Sequence, residues 1–398
     1  VVVLQGVFIT GIAVSGQTLT STTLDTSIGK VGFVESAGAN DYLFFCDGED
    51  GYYINTSNVI TKINDADFPT PHIPTPVFMD GYIFIAKTNT GDIYNCALED
   101  PSTWNNEFIN TEMFPDKIVG LSRMGNQVVA YGRMSTEFFY DAGNVSTSPL
   151  SRTDGAGFHF GAWAPYAAVS TEQYMIVPTQ ADQGGRSVHM FKGFETKKIS
   201  TEYVDKILNA QAFGGDSATA WTVKTDGHYL YILNLSNRTL VYDLETQHWT
   251  EWSSNSAGSH AVFAYKYATD ALSGLLLLQH NTDGKIYNLD PSQYDDSGTA
   301  ILVEGITHRF DSETMSRKFN HGLYWVADDP GSTATLSFRW TDDDYQTWSN
   351  WKTVDLHKRP FFPRAGAFRR RAFNFTYQND LPLRLEAIEF TDMQTGMN

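Results

Sequence analysis

Cysteine is nearly missing from this 398-residue chain: there are two, Cys46 and Cys96, both in apolar strand-like runs. They read as buried thiols, which rules out a disulfide framework as the source of stability. Long hydrophobic runs are missing as well, and none approaches the roughly 20 residues that a membrane-crossing helix needs. Positive charge is scarce, with 28 Lys and Arg against 46 Asp and Glu and a formal net charge of −18. That balance argues against a chain that grips nucleic acid over its whole surface, because neutralising phosphates takes a cationic face. No HExxH, GxSxG, Walker A loop, GxGxxG or CxxC occurs, so the common motifs of hydrolysis, nucleotide binding and zinc binding are excluded. The ten histidines are scattered, mostly in or beside strands, and read as packed or surface residues rather than ligands. No signal peptide is visible, and the start at Val1-Val2-Val3 rather than Met fits the ordered part of a longer product. No catalytic residue, cofactor or structural metal is expected.

What is present is enough apolar material for a sizeable core: 41% hydrophobic and only 19% charged residues. The charge is uneven. Residues 301–398 hold 12 Lys and Arg against 13 Asp and Glu, leaving 16 against 33 for residues 1–300. An acidic body followed by a near-neutral segment marks a domain boundary near residue 300.

One pattern recurs six times: an apolar strand, a tight polar gap, then a strand carrying an aromatic residue. The copies begin at Tyr42, Tyr82, Gln127, Tyr174, Tyr229 and Leu275, spaced 40, 45, 47, 55 and 46 residues apart. Gaps such as Gly48-Glu-Asp-Gly51 and Asn281-Thr-Asp-Gly284 supply the positive-φ positions of hairpin turns. Four short strands fill about 45 residues, the size of one propeller blade. The expected fold is all-β: a six-bladed β-propeller over residues 1–300, then a small antiparallel β domain over 301–398. The alternative is an unrelated series of hairpins in sandwiches. Strands within Val1–Thr23 are expected to close the last blade, since an open sheet edge invites aggregation. The one good helix candidate, Ser200–Ala210, has Ser200 or Thr201 as N-cap and apolar residues at 203, 204, 207 and 208.

In the last hundred residues, Thr335–Trp340, Arg371–Tyr377 and Leu383–Phe390 alternate as strands, placing Phe373, Phe375 and Tyr377 on one face. The third strand is expected to set Leu383, Leu385, Ala387 and Glu389 on one side. Thr341-Asp-Asp-Asp-Tyr-Gln-Thr-Trp348 resembles the Asp-box hairpin of sialidases (Ser/Thr-x-Asp-x-Gly-x-Thr-Trp), with Tyr345 in place of the glycine. Thr341, Asp343, Thr347 and Trp348 would form a structural turn, in which the carboxylate satisfies turn amides and the Trp packs beneath. Acidic clusters at Asp47/Glu49/Asp50, Asp295/Asp296, Asp328/Asp329 and Asp342–Asp344 lack the spaced ligands of a calcium loop and read as turn solvation. The sequons at Asn55, Asn144, Asn234, Asn237 and Asn374 matter only in a secretory pathway. Positive charge bunches at Arg359, Arg364, Arg369, Arg370 and Arg371, with phenylalanines between. Such a cluster can hold phosphates and stack on bases; the favoured reading is a contact with an acidic neighbouring subunit.

Further stretches carry a resemblance that no single motif would support: Ile60–Pro69, Phe78–Ile83, Asp100–Trp104, Pro115–Leu121, Ser135–Asn144, Lys198–Thr201 and Asp226–Tyr231 through Trp249. Arg339–Asp344, Thr347–Ser349, Arg370–Phe373 and Pro382–Leu385 continue it. In this order, over nearly the whole chain, they resemble the packaged-DNA stabilisation proteins of short-tailed bacteriophages (podoviruses). That family usually has a further N-terminal segment.

The resemblance implies a virion structural protein rather than an enzyme: a homohexameric tail hub, or nozzle, in the head-to-tail connector below the portal and its adaptor ring. Its bore would carry double-stranded DNA during ejection without binding it specifically, and would help retain packaged DNA with a needle or plug protein. Tail fibre or spike proteins would be further partners, and the chain would pass through the host cytoplasm during assembly. Six copies at −18 each sum to about −108, and carboxylates facing DNA repel it, so the genome would slide. The alternative is a carbohydrate-binding or glycan-cleaving tail propeller, which would gather Arg, Glu and Tyr in one cleft.

Overall fold

The computed structural model describes residues 2–5, 8–11, 22–23, 30–37, 40–145, 147–171, 173–181, 185–212, 217–225, 227–270, 276–282 and 285–396. Compactness divides the chain into two units. One comprises Val1–Glu251, Tyr265–Thr269 and Leu278–Tyr287; the other comprises Trp252–Ala264, Asp270–Leu277 and Asn288–Asn398.

Among the described residues, six antiparallel sheets follow one another between Gly32 and Leu289, one for each repeat copy. The first pairs Gly32–Glu35, Tyr42–Cys46, Gly51–Asn55 and Ile60–Lys62 in chain order. The second runs from Val77–Met79 to Asp100–Asn110, the third from Gly120–Met124 to Leu150–Phe158, and the fourth from Phe160–Ala162 to Glu195–Lys198. The fifth spans Thr219–Thr225 to Ser259–Val262, and the sixth spans Tyr265–Asp270 to Ile286–Leu289. This is a β-propeller. Val2–Gln5, Phe8–Gly11 and Thr22–Thr23 pair with one another, and among the described pairings none joins them to the sixth sheet. Leu275, Asp283 and Gly284, parts of the sixth copy and its turn, lie outside the described residues.

The packing explains why the repeat reads as apolar runs. In the Tyr82–Ala86 strand, Ile83 and Ile85 join Phe44, Cys46 and Trp104 on one side. Phe84 and Ala86 join Leu121, Val128, Ala130 and Phe139 on the other. The next blade repeats the arrangement, with Val128 and Ala130 facing back while Val129 and Tyr131 pack on Met175, Val177 and Phe191. A strand buried on both faces has no polar side to alternate, and its sequence is continuously hydrophobic. Cys46 and Cys96 are free and buried in one of these layers, and burial pushes the Cys96 thiol up to about 12.

At the first hairpin only Gly48 takes positive φ, 101°. Gly51 answers to a different constraint: a Cβ there would lie 2.5 Å from Phe68 Cζ, so close packing requires the glycine. The helix spans Glu202–Asn209, with Thr201 as N-cap accepting from Val204 N. It buries Val204, Ile207 and Leu208 and leaves Tyr203 63% exposed.

The second unit contains an antiparallel sandwich. One sheet orders Val303–Ile306, Ala372–Tyr377, Thr335–Thr341 and Lys352–Asp355. The other orders Phe361–Phe368, Lys318–Ala327 and Leu385–Thr391. Leu323, Trp325, Leu336, Phe338, Phe373 and Tyr377 fill the space between. In the last of these strands the expected face is corrected. The register shifts between Val326–Ala387 and Ala327–Leu385, so Glu386 is an extra residue. This bulge switches the parity, and Ile388 and Phe390 join Leu385 at the core while Ala387 and Glu389 are exposed.

Candidate functional site

Every site residue expected from the sequence lies in the second unit, where the Thr341–Trp348 turn meets the arginine cluster. Asp343 organises the turn. Its Oδ1 accepts from Thr341 Oγ1 at 2.7 Å, Gln346 N at 3.1 Å and Thr347 N at 2.9 Å, and its Oδ2 accepts from Thr347 Oγ1. These bonds, those from Thr347 foremost, hold its carboxyl down at about 2. Asp344 and Tyr345 take φ of 59° and 68°, so Tyr345 holds the left-handed conformation a glycine would adopt without strain. Its hydroxyl donates to Thr307 O at 3.2 Å.

The five arginines do not form one free patch. Arg371 is buried, its guanidinium bonded twice to Asp342 at 2.8 Å, once to Ala365 O, and stacked on Trp340 and Phe368. These contacts tie it to its own domain. Arg370 shares Asp344 with Arg309, each at 2.8 Å. The Arg309 bond, the larger influence, draws the Asp344 carboxyl below its usual range. Arg369 donates to Met315 O at 2.8 Å. Arg359 and Arg364 are exposed; Arg359 lies over the Tyr324 and Phe361 rings, 5.0 Å from each.

Arg339 carries no sign of a site in the sequence. Leu336, Phe338 and Trp340 are directed to the core, so alternation turns Arg339 to the opposite face. There its guanidinium sits 5.0 Å from the Trp348 ring and 4.4 Å from the Trp351 ring. Trp348 thus stacks against a cation.

The acidic clusters have structural work. Asp47 is buried and accepts from Glu49 N and Asp50 N, and Asp328 and Asp329 pair with Arg384 and His357. Among the described residues no group of three or more His, Cys, Asp or Glu could hold a metal ion. Of the sequons, Asn234 and Asn374 are buried. In the propeller unit a cavity of about 360 Å³ is lined by residues including Tyr174, Lys197, Lys224, Tyr229 and Tyr242. Glu245 is the one carboxylate among its described lining residues.

A phage stabilisation family, described as bacteriophage P22 Gp10, beta-propeller, matches residues 10–294. The chain belongs to this family. As a member of the P22 Gp10 propeller family it is a bacteriophage structural protein, and the match ends before the sandwich. A comparison with curated proteins finds no match. Among solved structures, the N-terminal domain of Nup159 is similar at a TM-score of 0.41 and 10% identity, over 72% of this chain and 84% of that one. Virginiamycin B lyase from Staphylococcus aureus is similar at 0.39 and 8%, over 65% and 88%. Likeness at that level says nothing of function.

Proposed function

We propose that the chain is the subunit of a hexameric tail hub, or nozzle, that docks below the portal's adaptor ring and lines part of the DNA ejection channel. Residues 1–300 form the propeller body, with the N-terminal strands closing the last blade, and residues 301–398 form a docking domain. The observation that carries this reading is the family match over residues 10–294, joined to a net charge of −18. Carboxylates around a bore repel DNA and let it slide, and a ring of rigid β subunits needs no catalytic centre. The lone carboxylate in the described lining of the propeller-unit cavity beside Tyr174 and Tyr242 supports a non-enzymatic role, because glycoside hydrolysis usually takes a pair. A needle or plug protein, fibre or spike proteins and passing double-stranded DNA complete the set of partners. Arg359 and Arg364, with Arg369 and Arg370, contribute to the subunit or adaptor contact.

Electron microscopy of the purified chain tests the assembly: sixfold rings with an open bore support it, and another symmetry or persistent monomers refute it. Arg359→Glu with Arg364→Glu should weaken association and leave the unfolding midpoint unchanged. Turnover of a host polysaccharide by the chain alone would replace this reading with the glycan-cleaving one.

A further inference from the structure

The sandwich contains two arginines stacked on aromatic rings, Arg371 paired with a carboxylate and Arg339, among the described residues, not. At Arg371 the guanidinium stacks on Trp340 at 4.9 Å and Phe368 at 4.4 Å and is closed by the Asp342 carboxylate. At Arg339 the stacking is in place, with Trp348 at 5.0 Å and Trp351 at 4.4 Å. Yet its Nε is buried without a hydrogen-bond partner, and among the described residues no carboxylate pairs with it. A guanidinium carries five donors and no acceptor. Arg339 is half-buried between two indoles, and while Nε is covered by its own chain, the Nη donors are not among its buried unpartnered atoms and can take a carboxylate or phosphate. Trp351 is 44% exposed, so the site is open at that edge.

We propose that the Arg339–Trp348–Trp351 cage receives an Asp or Glu side chain from residues 1–300 of a second copy of this chain. The same domain completes the same stacked arrangement with a carboxylate at Arg371, and residues 1–300 carry 33 Asp and Glu against 16 Lys and Arg. Planar bidentate pairing fixes distance and angle together, so this contact sets the register between neighbouring subunits. The assignment rests on the ring reading above and adds the residues of one contact to it.

The test uses the full chain. Self-association is measured for wild type and Arg339→Glu, with unfolding midpoints and binding to a short DNA duplex as parallel readouts. Arg339→Lys, mixed from isotopically labelled and unlabelled preparations, is treated with a carbodiimide, which joins lysine to carboxylate. For Arg339→Glu the expected result is an association constant lowered by about tenfold or more at an unchanged midpoint. For Arg339→Lys it is a cross-link from the introduced lysine to an acidic residue of 1–300, spanning labelled and unlabelled copies. If wild type forms rings and Arg339→Glu forms them equally well, this contact is refuted and the ring reading stands. If wild type never associates, both fall. A cross-link confined to one copy, unfolding of both variants, or a loss of duplex binding with normal association would each overturn the proposal; the last would reassign the cage to phosphate.

Discussion

Arg371 and Asp342 face each other in a two-pronged pair, Nε to Oδ1 and Nη2 to Oδ2 at 2.8 Å each, with the arginine side chain 2% exposed and the aspartate 38%. The neighbouring Arg364 is exposed. Two residues of one basic cluster therefore sit in opposite environments.

Arg371→Ala should destabilise the sandwich by about 2–3 kcal/mol, somewhat under the usual loss for a broken buried pair because Asp342 reaches water. Arg364→Ala should lie within about 0.5 kcal/mol of wild type. Urea unfolding followed by tryptophan fluorescence measures both. Equal effects would mean that Arg371 does not brace the domain.

Asp343 makes a pH prediction of definite sign. Its carboxyl is held at about 2, below an ordinary value of 3.8. The stability it contributes is fully present above about pH 4 and disappears as pH falls through about 2. The stability difference between wild type and Asp343→Asn should be flat from about pH 5 to 8 and shrink below about pH 4. A difference that grows on acidification would contradict the bonding at this turn.

The legible parts of the fold were those where one local pattern has one physical cause. Strands buried on both faces appear as apolar runs, so the repeating all-β pattern was visible, and Thr201 announced the helix. The bulge at Glu386 left no mark, because a one-residue parity switch depends on the partner strand. The arginine cluster was visible as charge, but not its division. Asp342 lies 29 residues from Arg371 and the ring under it, Trp340, 31, so only the folded sheet brings them together. Arg339 was hidden for the same reason: its cage closes through the turn that carries Trp348.

Tyr345 tests the turn from another side. Its φ of 68° costs a non-glycine residue roughly 1–2 kcal/mol, and its hydroxyl returns part of that through the bond to Thr307 O. Tyr345→Gly should be as stable as wild type or more stable by about 1 kcal/mol. Tyr345→Phe, which keeps the strain and loses the bond, should be less stable by about 0.5 kcal/mol. If the glycine variant were the weaker of the two, the left-handed turn would not be strained.

The two-sided packing of the propeller strands makes the last prediction. Ile83 and Ile85 share a layer with Phe44 and Trp104, whereas Phe84, between them in sequence, belongs to the layer with Leu121 and Phe139. Each truncation to alanine should cost about 2–5 kcal/mol. Ile83→Ala and Ile85→Ala open cavities in one layer, so their costs should depart from additivity by about 0.5–3 kcal/mol. Ile83→Ala and Phe84→Ala open cavities on opposite sides of the strand and should add within about 0.5 kcal/mol, although the residues are adjacent. Double-mutant cycles in urea measure both couplings. A larger coupling for the adjacent pair than for the alternate pair would mean that the strand does not separate two layers.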